Sequence, residues 1–484
     1  MAMKCTCDRV SRRGFLGGFC AGLTGLILPA DAFGAAAPRM RFGVASDVHV
    51  QASGLWNWRQ YTEHALRWFD EQGVDAVMVP GDIAHSGLIS ELRGFAEIWD
   101  KVFKDGRGSD GRPVEKLFVT GNHDIEAFWT KGDDAWRRQN VINHGDNLAR
   151  LWRELFHEEY RLIWKKEVKG FTFIGAQWPC KDAKPPVEQW FREHAVEIDA
   201  SKPFFYTQHA HPKGTCGDGR ISYDDGTATR ALSPFSNAVA ITGHSHQTIV
   251  DESSVWQGEF TSINAGCLRE GGNDRHGAYD STYPRYSPKR KLNRMRPISA
   301  FEGRCGLLVD VFDDHLVVHR RSFEYDMPLG EDWCIPIPAV ADGKYDFDRR
   351  KAEDAGPVFA KDAKVEVEWC RKAPADIAGP ALSGRPCVRV KIPHPQAVKP
   401  SSRVYDFKVE MLVGGKVATT RFVLANGYNV PMSMSDRSSN CLFGGDEMPK
   451  DGAVCFRVTP RTAFGTAGGS LMSALIFKEA FEPI

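Results

Sequence analysis

The sequence lacks a charge bias: over 484 residues, Lys plus Arg equals Asp plus Glu at 62 each. No overall field recruits a polyanion, so neither nucleic acid nor an anionic membrane is an expected partner without a local basic patch. Long apolar runs are missing as well. The one candidate, Gly14 to Ala30, is diluted by glycine and falls short of the ~20 apolar residues that a membrane span needs. Cysteine occurs twelve times, but without CxxC spacing, and Cys5, Cys7 and Cys20 lie in the first 37 residues. The odd number that remains excludes a disulfide scaffold and a Cys-based zinc site. Pairing among Cys370, Cys387, Cys441 and Cys455 stays open after export. There is no internal repeat, and no serine or cysteine stands out as a nucleophile.

What is present divides the chain into four parts. Ser11-Arg12-Arg13-Gly14-Phe15-Leu16 is a twin-arginine pattern, followed by the uncharged stretch and by small residues from Ala32 to Ala37 suited to cleavage. Residues 1–37 are therefore read as an export signal rather than an anchor. The expected destination is periplasmic or extracellular, with no stable membrane span after cleavage. From 38 to 335, short apolar runs (Met40 to Ala45, Val74 to Val79, Lys116 to Val119, Phe171 to Ala176, Phe204 to Thr207, Ala238 to Ile241) alternate with helical stretches at 58–72 and 88–103. That alternation predicts a layered α/β domain. A polar linker is expected over 336–361. Residues 362–484 then carry period-two strands without a convincing helix (365–369, 388–392, 405–412, 419–424, 453–458 and 471–477), which predicts an all-β sandwich.

Chemistry-bearing residues gather where the α/β strands end. Asp47-x-His49 follows the first strand, Gly81-Asp82 the second, and Gly121-Asn122-His123-Asp124 the third. Gln208-His209 closes the Phe204 strand, and Gly243-His244-Ser245-His246 follows the Ala238 strand. Ligands in open α/β sheets collect at the carboxyl ends of strands, so all five blocks can converge on one crevice. Carboxylates, imidazoles and an amide oxygen suit Zn, Mn or Fe, and the absence of thiolate excludes soft-metal chemistry. The glycines at 81, 121 and 243 are read as sharp turns that aim the next side chain inward. His211, two residues beyond His209, is the alternative ligand or a substrate contact.

The ordered set DxH, GD, GNHD, H, GHxH resembles the calcineurin-like metallophosphoesterase family, with every block present across about 200 residues. The resemblance implies a four-layer α/β/β/α sandwich with two metal ions of Mn, Zn or Fe type. One ion takes Asp47, His49, Asp82 and His246. The second takes Asp82, Asn122, His209 and His244. His123 then stands beside the substrate phosphate as a catalytic group, with Asp124 as its orienting partner. The implied reaction is hydrolysis of a phosphomonoester or phosphodiester, small-molecule or polymer, by in-line attack of a metal-bridging hydroxide. Purple acid phosphatases, a neighbouring branch, place tyrosine three residues after the bridging aspartate and lack the DxH histidine. Here those positions are His85 and His49, so no iron-tyrosinate chromophore is expected.

Other features carry less. Trp129, Trp136 and Trp178 read as core or as a substrate wall. The segment from Arg269 to Arg296, rich in Gly, Arg and Tyr, reads as a loop over the site that holds substrate or as an inert surface loop. The C-terminal module resembles a fibronectin type III sandwich and reads as a spacer. A cell-surface binding protein with a non-catalytic metal site is the competing functional class.

Overall fold

The computed structural model describes residues 37–476 apart from 52–57, 128–129, 181–182, 217–222, 270–302, 341–342, 380, 400–401 and 451. The export signal, Trp129 and most of the 269–296 segment lie outside the described residues. Among the described residues, no helix is long and apolar enough to cross a membrane.

Buried apolar strands build two sheets. β1 (Met40–Val44), β2 (Ala76–Pro80) and β3 (Glu115–Val119) run parallel. The second sheet contains β4 (Ile163–Val168), β5 (Phe171–Ala176), β6 (Phe204–Gln208), β7 (Ala238–Thr242), β8 (Val255–Gln257) and β9 (Thr261–Asn264), in the order β4-β5-β6-β7-β9-β8. The chain then returns to the first sheet. β10 (Cys305–Val311) lies antiparallel to β1, followed by β11 (His315–Ser322), β12 (Met327–Pro328) and β13 (Trp333–Pro336). The β10–β11 hairpin turns at Asp313-Asp314.

The sheets pack face to face through Phe42, whose ring lies 5.4 Å from Phe173 and 5.0 Å from Phe205. Helices cover both outer faces. Trp58–Glu71, Ile89–Val102 and Asn147–Phe156 bury Phe69, Phe95, Trp99 and Phe156 against the first sheet, while Val187–His194 and Thr227–Leu232 cover the second. The result is a four-layer α/β/β/α sandwich, each fully buried Phe contributing about 1.5–3 kcal/mol.

The C-terminal region is all β, in two antiparallel sheets. One contains β14 (Glu366–Cys370), β15 (Cys387–Ile392) and β18 (Ser439–Gly444). The other runs in the order β17 (Lys416–Leu424), β16 (Val404–Val413), β19 (Val454–Thr462), β20 (Leu471–Met472). Their inner faces meet at Phe443 and Phe456, ring centroids 5.0 Å apart. Two features depart from the expectation. β18 is a strand that the periodicity misses, because all six of its residues are buried and show no alternation. The expected polar linker contains a helix, Phe347–Ala352, capped by the Asp346 side chain accepting from the Arg349 amide. Phe347 packs on Phe464, and Arg350 donates to the Val255 carbonyl, which ties the helix to both halves. The nine described cysteines are thiols; Cys370 and Cys387 face each other across β14 and β15.

Candidate metal centre

The first three strands of one sheet and two strands of the other end at a common edge. After β1 and β2 the chains continue side by side: Asp47 N donates to Gly81 O, His49 N to Asp82 O, and His85 N to Val50 O. After β6 and β7, Gly243 N donates to His209 O. These backbone bonds set the spacing of the five blocks before any side chain is considered.

The side chains then form two groups that share a residue. Ligand atoms of Asp47, His49, Asp82 and His246 lie within 4.8 Å of one another, and so do those of Asp82, His209 and His244. Asp82 belongs to both. His246 Nε2 is 3.0 Å from Asp47 Oδ1, and His209 Nε2 is 3.1 Å from Asp82 Oδ2. Asn122 opens the short helix Asn122–Glu126 directly after β3. Asn122 Oδ1 is buried without a hydrogen-bond partner. Buried polar atoms are normally satisfied, so this amide oxygen, at the same edge as acids and imidazoles packed within ion-pair distance, fits a site built for cations.

Backbone strain is concentrated at the same edge. Asp47, His49, Asp82, His244 and His246 all have φ between 49° and 68°, in the left-handed region. For non-glycine residues this costs about 1–3 kcal/mol each and persists only where the surroundings impose it. Of the glycines, Gly81 does turn with φ +91°, but Gly121 and Gly243 do not. Their role is room: a Cβ would meet Asp82 Oδ1 at 2.1 Å from Gly121, and Ser46 Oγ at 1.9 Å from Gly243. The turn reading holds for one of the three.

The electrostatics are those of a crowded set of acids and imidazoles. Burial alone would raise the Asp47 and Asp82 carboxyls, but His246 beside the first and His209 beside the second bring both below the usual range. His209, despite burial, is raised to about 9 by Asp82 and Asp47. His244 falls to about 3 through burial and the neighbouring His209. His49 is driven well below its ordinary value by burial, His246, His123 and Arg269.

Two assigned roles change. Asp124 does not orient His123. Its carboxylate accepts from the amides of Gly121 (2.8 Å), Ala84 (2.7 Å) and Ile83 (3.2 Å), capping the short helix and tying it to the Asp82 loop. Burial and the Asp82 charge push its carboxyl up to about 7. The His123 ring is instead held by Nδ1 donating 2.5 Å to the His85 carbonyl, and the His123 amide donates 2.9 Å to Asp82 Oδ1. His211 is not in the clusters. It is buried, with Nδ1 at 2.7 Å from Thr242 Oγ1 and Nε2 at 2.9 Å from Ser245 Oγ, behind the loop that presents His244 and His246.

The open side has two different walls. On one, Trp178 lies 5.6 Å from His209 and 5.3 Å from His244, its indole donating to Glu126. Trp136 is exposed and packs no site. On the other wall His85 stacks on His123 at 5.5 Å, while His123 meets His49 edge-on at 4.5 Å. The signal of His85 in the sequence was only its place three residues after Asp82.

The match to a family of known proteins agrees with the fold. A family described as calcineurin-like phosphoesterase matches residues 40–248. No curated protein matches the chain. Among solved structures, a dimetal phosphatase from Danio rerio shares 13% identity, covering 62% of this chain and 99% of its own, at a TM-score of 0.33. Purple acid phosphatase from yellow lupin (Lupinus luteus) seeds shares 14%, covering 63% and 55%, at 0.37. A predicted phosphoesterase from Streptococcus pneumoniae shares 14%, covering 61% and 97%, at 0.28. Such TM-scores carry no functional weight.

Proposed function

We propose that this chain, whose residues 40–248 match the calcineurin-like phosphoesterase family, is an exported, two-metal hydrolase of phosphomonoesters or phosphodiesters. One observation carries the reading: Asp82 is common to both ligand groups, and the buried Asn122 Oδ1 at the same edge has no hydrogen-bond partner. The first ion would be held by Asp47, His49, Asp82 and His246, and the second by Asp82, Asn122, His209 and His244. Their donor chemistry fits Mn, Zn or Fe. When bound, a pair of such cations neutralises phosphate oxygens and lowers the pKa of water.

The chain's own groups supply the rest. His123 donates from Nδ1 to the His85 carbonyl, which leaves Nε2 as the atom that passes a proton to the leaving oxygen. Asp124 and His211 are positioning residues: one anchors the loop that carries Asn122 and His123, the other the loop that carries His244 and His246. Trp178 flanks the second group. The twin-arginine pattern at Ser11 to Leu16 supports export. In the C-terminal module, the order β14-β15-β18 against β17-β16-β19-β20 supports a fibronectin type III-like sandwich acting as a spacer.

The test is a screen of mature protein reconstituted separately with Mn, Zn and Fe, against aryl monoesters and diesters and then nucleotides, glycerophosphodiesters and sugar phosphates. Turnover should appear with at least one metal. His123→Ala should retain metal and lose turnover, whereas in a non-catalytic binding protein it would change nothing measurable. A reconstituted protein that holds no metal would overturn the reading.

A further inference from the structure

The strand-end logic has a sixth member. β9 runs parallel to β7, so its carboxyl end points to the same edge, and the chain beyond it passes directly beside the first ligand block. Leu268 N donates 2.9 Å to Ser46 O, and Cys267 Sγ lies 3.5 Å from Asp47 O. Arg304 then pins the next residue: its Nε donates 3.1 Å to Arg269 O, while its Nη1 is held by Glu324 at 2.6 Å and its plane lies 3.8 Å over Tyr61. The backbone of Arg269 is thereby fixed relative to Asp47 from two directions.

Its side chain turns to the histidine wall. Arg269 Nη1 donates 3.2 Å to His85 Nδ1, which is itself 3.5 Å from His49 Nδ1. The guanidinium is half-buried, and its charge is felt at His49. A guanidinium offers five N–H donors in a planar fork, and that fork matches phosphate oxygens.

We propose that Arg269 is a substrate-binding residue of this site, held by His85 at the rim of the Asp47–His49–Asp82–His246 group, where it takes an anionic oxygen of the ester and favours phosphomonoester dianions over diesters. A fixed cation stabilises a dianion more than a monoanion, and it does so more strongly in a half-buried rim than in water. His85 is the positioning residue: a tyrosine or carboxylate at that place would engage the guanidinium differently. The inference rests on the phosphoesterase reading above and names the substrate class within it.

The experiment compares the wild type with Arg269→Ala and Arg269→Lys, each as metal-reconstituted full-length mature protein. Calorimetry measures binding of inorganic phosphate, and kinetics measure kcat/KM for 4-nitrophenyl phosphate and bis(4-nitrophenyl) phosphate. Arg269→Ala should weaken phosphate about ten- to a hundredfold, with Lys recovering part of the loss and metal content unchanged. Monoester kcat/KM should fall by a similar factor, and diester kcat/KM by only about threefold, since the diester carries one charge less. Should Arg269→Ala fail to fold, Arg269→Gln takes its place. Unchanged phosphate affinity, or an equal fall for both esters, would overturn the assignment. A wild type that hydrolyses neither ester defeats the phosphoesterase reading instead, and the phosphate titration still reads Arg269 by itself.

Discussion

The strand-end edge and the C-terminal sandwich solve opposite problems. At the edge, five residues of the two ligand groups sit in left-handed backbone, and acids and imidazoles crowd together. In the C-terminal sheets no described non-glycine residue has a left-handed φ, and the buried Asp406 carboxylate accepts 2.8 Å from Arg461 Nε. Strain of this kind is stored where a site needs it and offset by well-packed regions elsewhere. Substitutions should therefore separate activity from stability according to region.

The largest separation is expected at Asp82. Asp82→Asn should reduce turnover about a thousandfold or more, because one side chain serves both ions. The metal-free protein should melt only modestly lower than wild type, since His209 loses the Asp82 charge but keeps Asp47 at 3.9 Å. A large drop in the metal-free Tm would break the comparison. The converse is Phe456→Ala in the sandwich core, which should cost about 3–5 kcal/mol in denaturant unfolding with kcat of the remaining folded protein unchanged. Loss of kcat there would mean that the sandwich shapes the site.

His211 sharpens the comparison, being a buried residue of the edge that belongs to neither ligand group. His211→Leu strands the Thr242 and Ser245 hydroxyls and should lower metal affinity about ten- to a hundredfold, read by chelator competition. His211→Gln should restore part of it, whereas a His211 that merely filled space would tolerate Leu better than Gln.

The smallest effect concerns pH. His319 lies in the body of the first sheet, where, against the penalty of burial, Asp310 and Asp332 raise its imidazolium to about 9. A raised histidine contributes stability that is complete below about pH 6.5 and is lost as pH rises through about 9. Unfolding free energy should thus decline over that interval by roughly 1–2 kcal/mol, and His319→Gln should flatten the decline. Stability that rises with pH would contradict the assignment.

Much of this edge was legible before any coordinates. Asp47, Asp82 and Asn122 each follow an apolar run, and His244 follows another, because a parallel strand is buried on both faces and ends where polarity begins. β18 was not legible, since a fully buried strand has no alternation to read. Asp124 was misread because adjacency to His123 suggested a partner, while the helix turn at Asn122 carries its carboxylate back to amides.

Residue types and their order determined the chemistry: acids, imidazoles and one amide at strand ends select hard-to-borderline cations whatever the fold details. Tertiary structure alone decided which of those side chains stand within reach of one another, that His123 is held by a carbonyl rather than a carboxylate, and that His211 stands behind the loop. Those outcomes depend on backbone bonds between segments up to about two hundred residues apart, such as Leu268 to Ser46, and no local pattern encodes the distance across a crevice.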